Sequence, residues 1–136
     1  MLKLNQTADE NLRFLTKYLE LLKKLSQDNE EFKEELGELN LNYVLLILSE
    51  PKTKYWIKFG KGLFLYGQGE FENGTITISC VSKVIVNIIR GKTNGFKESL
   101  NGNLHLEGNL QYAVVFFDLL TLASEILSEK GVILIE

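Results

Sequence analysis

Thr75-Ile76-Thr77-Ile78-Ser79-Cys80 runs directly into Val81 to Arg90 and then into Gly91-Lys92. The first six residues alternate, with Ile76, Ile78 and Cys80 on one face and Thr75, Thr77 and Ser79 on the other, the period of a half-buried strand. At Val81 the alternation stops. Val81, Val84, Ile85, Ile88 and Ile89 stand at i, i+3, i+4, i+7 and i+8, which is helical spacing in spite of their β-branched side chains. Gly91 ends that helix as a left-handed cap. Phe96 and Leu100 make a short amphipathic turn, closed by Asn101-Gly102. Leu104 and Leu106 form the inner face of a further strand, Leu104 to Glu107. Asn109 caps a long apolar helix from Leu110. Its core row reads Leu110, Ala113, Val114, Phe117, Leu120, Ala123 and Leu127, with Val115, Phe116, Leu119, Leu122 and Ile126 spreading beyond it. The region 75–127 is therefore strand, helix, turn, strand, helix, with glycine at the joints.

Upstream, residues 8–37 read as helical. Thr7-Ala8-Asp9-Glu10 has the spacing of a capping box. The helix it predicts carries Leu12, Leu15, Leu19 and Leu22 on one row and Phe14, Tyr18, Leu21 and Leu25 on the next, opposite Arg13, Lys17 and Lys24. Asp28 to Glu31 repeats the capping signal before a short acidic helix anchored by Phe32 and Leu36 and ending near Gly37. The sheet is expected over 43–80. Tyr43 to Ser49 is an almost continuous apolar run stopped by Pro51. Thr53 to Phe59 alternates, with Tyr55, Ile57 and Phe59 sharing one face. Leu63 to Tyr66 starts a third strand, in which Gly67 and Gly69 suggest a bend or bulge, and Asn73-Gly74 reads as a hairpin turn into Thr75. After Gly131 the apolar tail 132–135 is a sixth strand, a plug or a dimer contact.

The 136 residues suit one domain, 1–136, large enough to bury a core without a staple. The apolar fraction of 45% and charged fraction of 24% are ordinary for a globular chain. The lone cysteine, Cys80, forms no internal disulfide, and no cationic leader precedes an apolar run, so a reducing cytoplasmic setting is expected. Leu110 to Leu127 comes nearest to a membrane span but is interrupted by Gln111, Asp118 and Glu125. A net charge of −3 argues against nucleic acid as a partner.

No catalytic or cofactor constellation emerges. Gly91-Lys92-Thr93 resembles the end of a phosphate loop, but that loop needs a glycine where Val86 stands and a strand rather than a helix before it. Gly67-Gln68-Gly69 lacks the third glycine and the helix of a dinucleotide fingerprint. Cys80 alternates inward with Ile78 and His105 outward from Leu104 and Leu106, so the two face opposite sides and cannot act as nucleophile and base. One histidine and one cysteine do not fill a structural metal site. No enzyme activity, cofactor or metal is expected.

The punctuation Ile76 to Ser79, Gly91-Lys92, Gly102, Leu104 to Leu106 and Gly108-Asn109 resembles the sterol-carrier-protein, or non-specific lipid-transfer, domain. The match is firm over 71–120 and looser over 29–70. Asn109 replaces the family's usual aspartate, and Cys80-Val81-Ser82-Lys83 lacks the acidic residues that commonly open its helix. The resemblance implies an α+β fold, a five-stranded, mostly antiparallel sheet with helices on one face. It also implies a tunnel between the layers for a sterol-like, fatty acyl or isoprenoid lipid, and no chemistry of the domain's own. The residues then assigned to the tunnel wall are Phe59, Val84, Ile88, Phe96, Leu100, Leu104, Leu106, Val114, Phe117 and Leu120. The function expected is a non-catalytic lipid carrier. The alternative is an accessory module with a closed pocket in quinone or isoprenoid lipid metabolism.

Between Pro51 and Gln68 stand Lys52, Lys54, Lys58 and Lys61 and no acidic residue. Alternation sets Lys54, Trp56 and Lys58 on the face opposite Tyr55, Ile57 and Phe59. Tryptophan favours a membrane interface and lysine an anionic one, so these three are the expected contact with an anionic bilayer. The plainer expectation is a solvated strand with Trp56 packed on a neighbour.

Overall fold

The computed structural model describes residues 2–70 and 74–132, with side chains from Ala8 onward. Two helices, α1 (Leu2–Asp28) and α2 (Glu30–Glu38), precede strands β1 (Asn42–Ser49), β2 (Thr53–Gly60), β3 (Leu63–Gln68) and β4 (Ile76–Val81). Helices α3 (Ser82–Ile89) and α4 (Gly95–Leu100), strand β5 (Leu104–Gly108) and helix α5 (Leu110–Glu129) follow. The five strands form one sheet in the order β3-β2-β1-β4-β5. Only β1 and β4 run parallel; every other neighbouring pair is antiparallel.

The strand alternation holds in detail. Val44, Leu46 and Leu48 of β1, Tyr55, Ile57 and Phe59 of β2, and Ile76 and Ile78 of β4 point to the helices and are buried. Leu104 and Leu106 continue that face on β5. Over it lies α1 with Leu15, Tyr18, Leu19, Leu22 and Leu25 buried, and α5 with Ala113, Phe116, Leu120, Ala123 and Leu127. Each such leucine or phenylalanine contributes on the order of 1.5–3 kcal/mol on leaving water. By length and composition α5 would be apolar enough to cross a membrane; in this fold its most apolar face forms the core.

Local signals place the element ends with some corrections. Gly91 has φ 76° and closes α3 in the left-handed conformation, as read. Asn109 caps α5, its Oδ1 accepting the Gln111 amide at 3.0 Å. The second helix is capped by Asn29 rather than Asp28, with Oδ1 accepting from the Phe32 amide at 2.9 Å. The first helix begins at Leu2, so Thr7 sits inside it and not at its N-cap; residues 2–6 contain neither glycine nor proline to delay it. The turn expected at Asn73-Gly74 is no hairpin. Asn73 lies outside the described residues, and the strands on either side, β3 and β4, are separated in the sheet by β2 and β1. Likewise 133–135 of the apolar tail lie outside them. Gly67 does not bulge β3. It pairs in register with Trp56, and a Cβ there would come within 2.7 Å of the indole.

Candidate functional site

The tunnel expected between sheet and α5 is filled. Phe59 is fully buried against Phe116, with ring centroids 5.8 Å apart. Phe116 in turn lies 6.0 Å from Phe117, and Phe96 meets Phe117 edge-on at 5.6 Å. Four aromatic rings from β2, α5 and α4 thus occupy the space. Phe59, Leu104, Phe117 and Leu120 are brought together as expected, but as packed core. Leu106, Val84 and Ile88 are half-buried against its margin. Leu100, 87% exposed, and Val114, 42% exposed, stand outside it, and Phe96, 40% exposed, covers Phe117 from the solvent side. The displacement of Val114 has a cause in α5 itself. Nearly every position of α5 is apolar, so hydropathy fixes its phase weakly, and Phe116 faces the sheet where Val114 was expected.

Open space lies instead at the other end of the helical layer. A groove of about 810 Å³ runs between the end of α3 and the second half of α5. Ile88, Ile89, Leu122, Ile126 and Val132 make its apolar wall, and Glu31, Arg90, Thr121, Ser124, Glu125 and Glu129 its polar parts. Of the ten residues assigned to the wall from sequence, only Ile88 borders it. A sign of the groove was present in α5, where Thr121, Ser124, Glu125 and Ser128 form a polar strip on a largely apolar helix.

A hydrogen-bond chain holds the groove's floor. The Ser124 hydroxyl donates to the Ile89 carbonyl at 3.2 Å, and Tyr18 donates to the Leu120 carbonyl at 3.0 Å. The two hydroxyl oxygens are 3.1 Å apart. Tyr18 is so thoroughly desolvated that its phenol is held above the usual tyrosine range, the Ser124 bond opposing this only in part. These contacts tie α1, α3 and α5 into one wall. The Arg90 guanidinium lies over the Phe14 ring, 4.4 Å from its centroid.

A second, smaller hollow of about 630 Å³ opens at the β1–β2 turn, lined by Ile47 and Val81 with Lys52 and Lys54. The face expected to meet a bilayer is the one turned away from the helices. Trp56 is half-buried there and lies across Gly67 rather than standing clear of the sheet. Lys54 pairs with Glu70 at 3.0 Å, and Lys58 sits 5.6 Å over the Tyr43 ring.

Cys80 and His105 are on opposite faces, since Cys80 pairs with Leu104 and His105 with Ser79. Burial pushes the Cys80 thiol up to about 12, against a smaller opposing effect of the Ile85 amide. His105 is exposed, 3.9 Å from Glu107. Among the described residues, no group of three or more histidines, cysteines and carboxylates is placed to hold a metal.

The ubiquinone synthesis protein UbiJ-SCP2 superposes with a TM-score of 0.64 at 16% identity, over 76% of this chain and 85% of its own. The apo sterol carrier protein 2 of Yarrowia lipolytica does so with 0.63 at 16% identity, over 78% and 88%. The sec-alkylsulfatase Pisa1 from a Pseudomonas species superposes with 0.58 at 15% identity over 65% of this chain, which spans only 14% of that enzyme's length. At such identities the likeness is one of fold. No curated protein matches the sequence. The model of the SCP-2 sterol transfer family matches residues 19–121. With most of its length matched, and with the sheet order and helical layer described above, the chain belongs to the SCP-2 sterol transfer family.

Proposed function

We propose that the protein is a non-catalytic carrier of an apolar lipid, held in the groove between α3 and α5. The observation that carries this reading is the groove itself: about 810 Å³ is within the ~300–1,000 Å³ of small-molecule sites, and five aliphatic side chains make one wall of it. Burial of a hydrocarbon chain there supplies affinity at about 0.8 kcal/mol per methylene. The carrier reading also fits the family to which the chain belongs.

A second reading is favoured by the aromatic packing of Phe59, Phe116, Phe117 and Phe96. A domain whose sheet-side space is closed by its own side chains serves as an accessory module, and the fold likeness to a ubiquinone synthesis protein points to quinone or isoprenoid lipid metabolism. Native mass spectrometry of freshly purified protein separates the two. A co-purifying lipid, lost on filling the groove with Leu122→Trp, is the expected result. An apo mass that takes up no added lipid overturns the carrier reading.

A further inference from the structure

We infer that the outer edge of β5 is an interface for a second copy of this chain, the two β5 strands pairing antiparallel about a two-fold axis at Leu106. β5 ends the sheet order β3-β2-β1-β4-β5 and pairs with β4 alone. A strand so placed presents a row of unpaired amides and carbonyls, and among the described residues no backbone group outside β4 bonds to it. The opposite edge strand, β3, has α1 against it, with Tyr66 donating to Glu20 at 2.7 Å.

The surface beside β5 is apolar. Five large hydrophobic residues are exposed among the described ones, and four of them, Phe96, Leu100, Leu110 and Val114, come from the two helices that lead into and out of β5. Phe96 and Leu100 share a row of α4 at i, i+4, and Leu110 and Val114 share one at the start of α5. Phe117, three residues beyond Val114, meets Phe96 edge-on at 5.6 Å and joins the two rows. Clustered exposure of this kind marks an interaction site, whereas single exposed leucines need no account.

The polar side chains of β5 choose the occupant. His105 and Glu107 both project from the face turned away from the helices, exposed, with His105 Nε2 3.9 Å from a Glu107 carboxylate oxygen. Two sheets joined at their edges keep their inner and outer faces in common, so residues directly opposite must belong to the same face. A two-fold axis at His105 sets imidazole against imidazole, and one at Glu107 sets carboxylate against carboxylate. An axis at Leu106 sets His105 of each copy opposite Glu107 of the other, twice over, and puts Leu106 against its own counterpart on the helix side. Side chains directly opposite in an antiparallel pair have Cβ atoms about 4.5–5.5 Å apart. An imidazole offers an N–H to a carboxylate in either protonation state. A strand complementary to itself in this way fits another copy better than a foreign extended segment, and the isologous contact closes at two subunits.

Sedimentation velocity of the full chain over a range of concentrations tests this. The wild type is expected to pass from monomer to dimer as concentration rises. His105→Glu sets two carboxylates against each other and Glu107→Lys sets a lysine against the imidazole, so each variant alone should weaken the dimer by roughly tenfold. Mixed in equal amounts, the two variants should regain it, because each supplies the charge that the other lacks. Both positions are exposed, and unchanged circular dichroism and Tm verify that the variants are folded. A wild type that stays monomeric at every soluble concentration overturns the proposal and leaves the edge to an extended segment of another protein. A dimer that neither variant weakens overturns β5 as its interface. Variants that weaken the dimer but do not recover on mixing overturn the axis at Leu106.

Discussion

Phe117 meets Phe96 edge-on, with ring centroids 5.6 Å apart and planes at 85°, and the same Phe117 ring lies directly on Gly95, where a Cβ would collide with it. Gly95 is thus held by close approach, at the first position of α4. Gly95→Ala must push Phe117 out of the aromatic cluster, and overpacking of this kind costs ~1–3 kcal/mol. Urea denaturation checks it; a change below the error of the fit would mean that the ring has room to retreat.

Phe117→Ala separates the filled space from the groove. Removing a buried phenylalanine should cost ~3–5 kcal/mol. Lipid uptake by the groove should persist, because Phe117 does not border it. Leu122→Trp should do the reverse, abolishing uptake at a smaller stability cost than Phe117→Ala, because the larger side chain enters the open groove and not the packed core. If Phe117→Ala instead raised uptake, the aromatic cluster would be a closed door to the ligand.

The Tyr18 and Ser124 hydroxyls should be energetically coupled. Tyr18→Phe removes a buried hydrogen bond and is expected to cost ~0.5–1.5 kcal/mol. In a double-mutant cycle with Ser124→Ala, a coupling above ~0.5 kcal/mol is expected for groups in contact. Additive losses would show that each bonds its carbonyl independently.

Cys80 gives a pH signature. Its thiol has an ordinary value of 9.0 and is pushed up to about 12 when folded. Between those values the unfolded chain has released the proton and the native chain keeps it, so the unfolded state binds fewer protons and stability falls as pH rises. The contribution is intact below pH 9 and is lost on approach to pH 12. Cys80→Ala should flatten that alkaline slope, and the native thiol should resist alkylation at pH 8 until the chain is unfolded. Replacing Cys80 by Ala and His105 by Gln together should leave lipid binding unchanged, since neither residue borders the groove.

How far the sequence carries depends on whether a signal is local. The helix at Ser82–Ile89 was legible through Val84, Ile85, Ile88 and Ile89 although its residues favour strands, because period outweighs propensity. Asn109 and Gly91 were legible because caps are made by one side chain or one φ. Asn73-Gly74 misled because turn chemistry says nothing about which strands pair, and β4 enters the sheet beside β1. The groove left no more than the polar strip of α5 as its trace in the sequence. It arises from the spacing between the ends of two helices, and the hydroxyls that mark it, Thr121 and Ser124, are common on any helix.

Strands β1, β2 and β3 follow one another in the chain and in the sheet, so their ladders close over the short turns at Pro51 and Lys61. The seam between β1 and β4 is different. Val44 finds Ile76, and the Tyr43 amide finds the Thr75 hydroxyl across 32 residues of chain. Closing so long a loop costs entropy before any contact repays it. A folding chain therefore completes its three-strand meander early and its parallel seam late. Until β4 arrives, the middle strand of the finished sheet is an open edge, free to pair with another molecule. The seam at Leu46 and Ile78 is where a slow folding step and aggregation through an open strand edge would have a common origin.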